Sequence, residues 1–371
     1  MSPLRTVIVS PNRDAWSETF IRAHIERLPG EHLVLTDGFL PKRFEDGTEI
    51  MAIEGFAKFM RSVRLRFRSN WQREHQRAIA ALVRVFAPQL VLAEYGPTGS
   101  AMLPVCRKLG LPLVVHFHGV DAFSTKLLNE QGNYVDLMQQ AAAIVVVSRE
   151  MERQVLSLGA PAERVHYNCY GIDVERFHTG APGQAPAAFV AIGRFVEKKA
   201  PQLTLAAFHK AWSQDNTLRL SMIGDGPLLE QCKQFVDHHG MHAVVEFAGV
   251  LPHEQVAERL RAARAFVQHS VVSGDNDHEG TPLAVLEAMA TGIPVIATRH
   301  AGIPDVVEHG VHGLLCDEHD VEAMSANIVA LAHDPGRAAT MGAADRANVE
   351  ERYTMRHSIE GLQRILEGVV G

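Results

Sequence analysis

Glu279 and Glu287 bracket the start of one helical pattern in His278-Glu279-Gly280-Thr281-Pro282-Leu283-Ala284-Val285-Leu286-Glu287-Ala288-Met289-Ala290. Thr281 reads as the N-cap and Pro282 as the first helical residue, where a missing N–H costs nothing. Gly292 reads as a left-handed C-cap, and Pro294-Val295-Ile296-Ala297 as the next buried strand. Glu287 follows Leu283 by one helical turn and precedes Ala290 on the same apolar stripe. A carboxylate there costs several kcal/mol unless it is hydrogen-bonded. On residue type alone it either binds a ligand or caps a neighbouring loop. Glu279 stands beside the helix N-terminus, where backbone N–H groups can hold an anion.

A second constellation suits phosphate. An apolar run ends in Ile192-Gly193-Arg194, followed by Glu197-Lys198-Lys199-Ala200-Pro201 and a helical pattern. Gly193 lets a ligand approach the backbone. Arg194 can grip a phosphate with two parallel hydrogen bonds, and Lys199 acts as a point charge. Met222-Ile223-Gly224-Asp225-Gly226-Pro227 forms another strand-to-helix turn through glycines. Neither turn is a dinucleotide fingerprint or a Walker loop. Asp275-Asn276-Asp277 has the form of a DxD metal pair, but it lies among Ser273 and Gly274 and reads as a solvated turn. Cys106, Cys169, Cys232 and Cys316 lack metal or redox spacing and read as reduced core thiols.

The elements that position these residues repeat along the chain. With 371 residues, 46% hydrophobic and 21% charged, the sequence has the usage of a soluble protein of two domains. No apolar run approaches the roughly 20 residues of a membrane span, and no signal-peptide pattern precedes the strand Thr6–Ser10. A cytoplasmic location is expected. Strand patterns fall at 7–10, 32–37, 90–96, 113–119, 141–148 and 164–171, then at 187–194, 218–226, 244–250, 263–270, 294–298 and 313–317. Their near-continuous Val, Ile and Leu content belongs to parallel sheets covered on both faces. The Gly/Pro/Ala stretch 178–186 reads as a linker. The expected architecture is α/β: two doubly wound Rossmann-like domains, 1–178 and 179–353, with a cleft between the carboxyl ends of their strands. A final helix at about 354–371 would pack back on the first domain.

Charge is uneven. The net value is −7, yet residues 58–84 contain Lys58, Arg61, Arg64, Arg66, Arg68, Arg73, Arg77 and Arg84 against Glu74. Phe56, Phe59, Met60, Val63, Leu65, Phe67 and Trp71 interleave with them. This is either a solvated helix face or a surface for an anionic membrane or phosphorylated acceptor. The acidic whole and the lack of a nucleic-acid motif disfavour nucleic acid.

Taken together, Gly193-Arg194 with Lys198-Lys199, Ile223-Gly224-Asp225-Gly226-Pro227, and Glu279-Gly280-Thr281-Pro282 with Glu287 resemble the family-4 retaining glycosyltransferases of GT-B fold, whose E-x7-E motif Glu279 and Glu287 match. Phe117-His118-Gly119-Val120-Asp121 resembles that family's HGxD loop, and Tyr170-Gly171-Ile172-Asp173 with Phe177 its NGxD segment. The run Ser17-Glu18-Thr19-Phe20, where many members have Gly-Gly, is similar to the exopolysaccharide and colanic-acid branch.

The resemblance implies a nucleoside diphosphate sugar donor, a UDP-hexose first and GDP-mannose second. It also implies a glycan or polyprenyl-diphosphate-linked acceptor in polysaccharide biosynthesis. Arg194 and Lys199 would neutralise the leaving diphosphate, aided by backbone around Gly193, Gly224, Gly280, Thr281, Pro282 and Leu283. Glu279 would accept from sugar hydroxyls, Glu287 from the ribose, and Val250 and Leu251 would contact the base. His118 would act at the cleft beside the reacting sugar. Ser17, Glu18, Thr19 and Asp121 would serve the acceptor side, with Arg61, Arg64 and Arg68 facing a membrane as a peripheral anchor. Transfer would retain configuration by front-face attack, without metal or other cofactor. A sugar-nucleotide epimerase of the same architecture, or a non-catalytic nucleotide-sugar binder, is the alternative. A nicotinamide dehydrogenase is disfavoured, because neither half opens with GxGxxG and a following ribose acid.

Overall fold

The computed structural model of the chain describes residues 3–13, 18–51 and 68–371. Two compact units divide it. One comprises Met1–Val147, Met151–Asn168 and Ile359–Gly371, and the other Ser148–Glu150 and Cys169–Ser358. The helix Met355–Val370 is shared, since its residues from Ile359 onward belong to the first unit.

The first unit is built on a seven-stranded sheet in the order β3-β2-β1-β4-β5-β6-β7. The strands are β1 (Arg5–Val9), β2 (Glu31–Thr36), β3 (Arg43–Phe44), β4 (Leu90–Glu94), β5 (Leu113–His116), β6 (Ala143–Val146) and β7 (Val165–Tyr167). All pairs are parallel except β2 with β3. Every residue of β4, β5 and β6 is buried, as a parallel strand covered on both faces requires. The carboxyl ends of adjacent β4 and β5 carry Glu94 and His116, which are register partners. Helix Gly96–Leu109 leaves β4 at once, through a left-handed Tyr95 (φ 73°).

The second unit holds a six-stranded sheet in the order β10-β9-β8-β11-β12-β13. Its strands are β8 (Ala188–Ile192), β9 (Arg219–Ile223), β10 (Val245–Gly249), β11 (Ala265–Gln268), β12 (Val295–Thr298) and β13 (Gly313–Cys316), all parallel. Phe189, Phe208, Leu220, Val267, Ile296 and Ile328 form part of one continuous core between sheet and helices. Gly171 has no room for a side chain, because a Cβ there would strike the Thr354 carbonyl. The neighbouring Ile172 exchanges backbone hydrogen bonds with Tyr353 (2.8 Å) and Met355 (2.9 Å).

All twelve expected strands are present; β1 and β2 begin two and one residues earlier than expected, and most other ends are trimmed by one to four residues. The short edge strand β3 is additional. The helix expected to start at Pro282 instead runs Leu283–Thr291, with Pro282 as its N-cap. Pro282 is extended (ψ 121°), and its carbonyl accepts from Val285 (3.1 Å) and Leu286 (3.4 Å), so Thr281 lies one residue outside the cap. Gly292 ends the helix in the left-handed region (φ 70°), as expected. All four cysteines are buried and free. Among the described residues no helix is long and apolar enough to cross a membrane. Ser17, Arg61 and Arg64 lie outside the described residues, and Arg68 begins the helix Arg68–Phe86.

Candidate active site

In the second unit, β8, β9 and β11 end side by side and open a pocket lined by Gly193, Arg194, Phe195, Lys199, Ile223 and Gln268, among others. Ligands bind at this end of a parallel sheet. The two glycine turns are joined there. The amide of Gly193 donates to Ile223 O (3.0 Å), Phe195 donates to Asp225 O (2.9 Å), and Gly224 donates to Gly249 O (2.8 Å). Gly224 must be glycine: its φ is +136°, and a Cβ would meet the Gly193 carbonyl. This packing brings the turn after β10 beside the pocket, with Val250 59% exposed and Leu251 half-buried.

Arg194 is exposed, and its guanidinium makes no hydrogen bond or ion pair among the described residues. Lys199 differs. Its Nζ lies 3.2 Å from Glu279 Oε1 and 3.4 Å from Gln268 Oε1. Burial lowers the Lys199 pKa, opposed by Glu279 and assisted by Lys198 and Arg194. Burial raises that of Glu279, but Lys199, Lys198 and His300 outweigh it and hold the carboxylate below its usual range. The Glu279 amide donates to His300 Nε2 (3.1 Å), whose Nδ1–H donates to Glu318 (2.6 Å). His300 thereby fixes the segment bearing Glu279, a contribution that a lone histidine after a strand does not announce.

Gly280 and Thr281 are buried, and Gly280 O accepts from Gly302 (3.0 Å). Glu287 is half-buried, and its carboxyl has no hydrogen-bond partner among the described residues. Burial pushes its pKa up to about 7, against the attraction of Arg176 and Lys199. Neither a loop nor a neighbouring side chain uses this carboxylate. Asp277 accepts from Lys198 Nζ (3.0 Å), which also donates to His278 O (3.1 Å). One carboxylate of the DxD-like loop is therefore spent on a buried ammonium.

In the first unit, His118 follows β5 in a loop organised by Asp121. That aspartate is wholly buried and accepts from the amides of Gly96 (2.9 Å), His118 (2.9 Å) and Gly119 (3.0 Å). Burial raises its pKa to about 6, opposed by those amides. Asp121 thus shapes the loop, its carboxylate turned inward to three amides. Glu18 accepts from Asn12 (2.7 Å) and Tyr95 (2.9 Å) just before Thr19 opens its helix.

The fold and these motifs can be compared with known proteins. The family described as Glycosyl transferases group 1 matches residues 174–348, and Glycosyltransferase Family 4 matches residues 21–176. The amylovoran biosynthesis glycosyltransferase AmsK of Erwinia amylovora is 30% identical over 294 residues, covering 78% of this chain and 72% of AmsK. The chain belongs to the family-4 glycosyltransferases. This glycosyltransferase is also 29% identical to the putative colanic acid biosynthesis glycosyltransferase WcaL of Escherichia coli, over 76% of its own length and 71% of that protein. Its fold is that of Anabaena HepE, solved in complex with UDP and glucose (TM-score 0.77, 16% identity, 98% of this chain and 100% of the other).

Proposed function

We propose that this glycosyltransferase moves a hexose from a UDP-sugar, with retained anomeric configuration, to a glycan or lipid-linked glycan during exopolysaccharide synthesis. The observation that carries the reading is the pocket at the ends of β8, β9 and β11. Its lining includes the exposed Arg194 guanidinium and the half-buried Lys199, whose ammonium reaches the Glu279 carboxylate at 3.2 Å. Arg194 and Lys199 supply positive charge for a diphosphate, and the N-terminus of helix Leu283–Thr291 adds its dipole. Glu287, raised in pKa and unused by the protein, suits the paired hydroxyls of a ribose. Glu279, ionised and fixed by Lys199 and His300, suits sugar hydroxyls. Val250 and Leu251 offer backbone to a base.

His118 of the first unit would act on the donor sugar. With Glu287 assigned to the ribose, the motifs offer no second catalytic carboxylate for double displacement among the described residues, so front-face attack is the favoured route. The leaving phosphate takes the acceptor proton, and the cations hold the charge that a metal otherwise carries. The names of AmsK and WcaL support an exopolysaccharide role, and UDP with glucose in HepE supports the donor class.

The test is a thermal-shift series with UDP, GDP and ADP and their sugars, followed by transfer from the best donor to lipid-linked glycan. A ligand at 100 times its Kd adds about 2.7 kcal/mol of stability. Stabilisation by UDP-hexose and labelled glycan product support the reading. GDP-mannose as the productive donor would move it to the second choice, and donor epimerised without any acceptor would replace it with the epimerase.

A further inference from the structure

The neighbouring strands β11, β12 and β13 carry, at their carboxyl ends, a chain of contacts to which the reaction as described gives no role. His269 follows β11, His300 lies beyond β12, and Glu318 lies beyond β13. His269 is wholly buried, and its Nε2 accepts from the His319 amide (2.9 Å), which fixes the backbone beside Glu318. Glu318 uses both carboxylate oxygens. Its Oε1 accepts from His300 Nδ1 (2.6 Å), and its Oε2 accepts from the Val272 amide (2.9 Å). His300 is buried, and its ring lies 5.6 Å from that of His278 between centroids. Its Nε2 accepts from the Glu279 amide (3.1 Å). In the same loop Gly302 donates to Gly280 O (3.0 Å), so the segment Glu279-Gly280 is gripped at two points.

We propose that Glu318 is a positioning residue for sugar transfer: it holds His300 as the Nδ1–H tautomer, so that Nε2 accepts the Glu279 amide and the Glu279 carboxylate stays beside Lys199 at the donor pocket. The inference rests on the transfer reading above. A neutral imidazole has one donor and one acceptor nitrogen, and the partner of one decides the role of the other. An amide N–H can only donate, so the nitrogen facing Glu279 must keep its lone pair. A carboxylate can only accept, so the nitrogen facing Glu318 must carry the proton. A second proton on His300 would favour the Glu279 carboxylate through charge. It would also remove the acceptor that the Glu279 amide uses.

The arrangement needs a carboxylate and not only its shape. Glu318 receives N–H groups from both His300 and Val272, one on each oxygen. A glutamine there has a single acceptor oxygen and an NH2 group that only donates. With that oxygen on Val272, the NH2 faces His300 Nδ1 and calls for the Nε2–H tautomer. The imidazole then turns a donor toward the Glu279 amide, and the contact that holds the segment is lost.

Histidine-selective 15N NMR of the full-length protein near neutral pH tests the tautomer, with the His300 signals assigned by their loss in His300→Gln. The wild type should carry the His300 proton on Nδ1 and none on Nε2. Glu318→Gln should lower kcat about 10–100-fold, the range for losing the carboxylate behind a functional histidine. It should bind free UDP as the wild type does. His300→Gln supplies a side-chain oxygen that can accept the Glu279 amide with no tautomer to control. In that background, adding Glu318→Gln should cost about twofold at most, because the second change acts through the first. A wild-type His300 protonated at Nε2, alone or together with Nδ1, overturns the proposal even where a variant fails to fold. So does unchanged kcat in Glu318→Gln, or an equal loss in both backgrounds, which would make Glu318 a staple for its loop alone. A wild type that transfers no sugar while showing the Nδ1–H tautomer refutes the transfer reading instead, so the two failures are separable.

Discussion

Lys199 Nζ lies 3.2 Å from Glu279 Oε1, joining two motifs that are far apart in the chain. The pair keeps an ammonium and a carboxylate ionised in a site that burial would otherwise neutralise. A diphosphate bound there, as proposed, would meet one cation already anchored and one, Arg194, whose guanidinium is exposed without an intramolecular partner among the described residues.

That asymmetry separates two variants. Arg194→Ala should leave thermal stability within about 0.5 kcal/mol of wild type, as an exposed side chain does. Lys199→Ala should lower Tm, because it strands a buried carboxylate. Both should weaken UDP binding and cost about 3–4 kcal/mol of transition-state stabilisation. Calorimetric titration and turnover measure this, and wild-type values for both variants would remove them from the diphosphate site.

Glu287 gives a pH dependence. Burial pushes its carboxyl up to about 7, and in the proposed donor site ribose hydroxyls would donate to the ionised form. UDP binding should therefore tighten as pH rises toward 7, by at most about tenfold per unit, and level off above it. The stability contribution has the opposite sign. A carboxyl raised from its unfolded value of 4.5 stabilises the unliganded fold at low pH and loses that contribution as pH climbs through 4.5 to 7. Glu287→Gln should flatten both profiles and weaken free UDP. Glu279→Ala should spare free UDP and reduce turnover of the sugar donor. The reverse pattern would exchange the two roles.

Activity should persist in excess EDTA. Asp277→Ala should lower stability by about 1.5–3 kcal/mol, the value of a charged hydrogen bond, because it deprives Lys198 of its carboxylate. It should not create a need for added metal. Transfer that requires magnesium or manganese, and loses that response with Asp275→Ala and Asp277→Ala, would make the loop a metal site.

Much of the fold was legible because its strands are parallel and buried on both faces, which writes them as unbroken apolar runs. β3 was not, since the two residues Arg43 and Phe44 on an antiparallel edge carry no period. The donor-side motifs were legible as strand-to-helix turns, but their partners were not. Lys198 with Asp277, Glu279 with His300, and Glu94 with His24 are joined by sheet order and not by spacing. The partners of Asp121 are hidden for the same reason: only the structure shows its carboxylate turned inward to three amides. The start of helix Leu283–Thr291 was misplaced by one residue because the φ of proline suits both N-cap and N1.

The basic run leads to a membrane test. Arg73, Arg77 and Arg84 are exposed on helix Arg68–Phe86, which buries Ile79, Ala80 and Val83. Each basic residue at an anionic surface contributes about 1 kcal/mol, and salt screens it over roughly 8–10 Å. Sedimentation with vesicles should show binding that needs anionic lipid and falls with salt. Replacing Arg61, Arg64 and Arg68 with Gln should weaken it. Equal binding to neutral vesicles, or none to either, would make the run a solvated face.

The proposed reaction cleaves a nucleoside diphosphate hexose with retention. Proton NMR of the purified protein with UDP-α-glucose, using water as the slow acceptor, reads this before mutarotation blurs it. α-Glucose should appear first, together with UDP, and should vanish with Lys199→Ala. Initial β-glucose, or conversion to another UDP-hexose without free sugar, would contradict it.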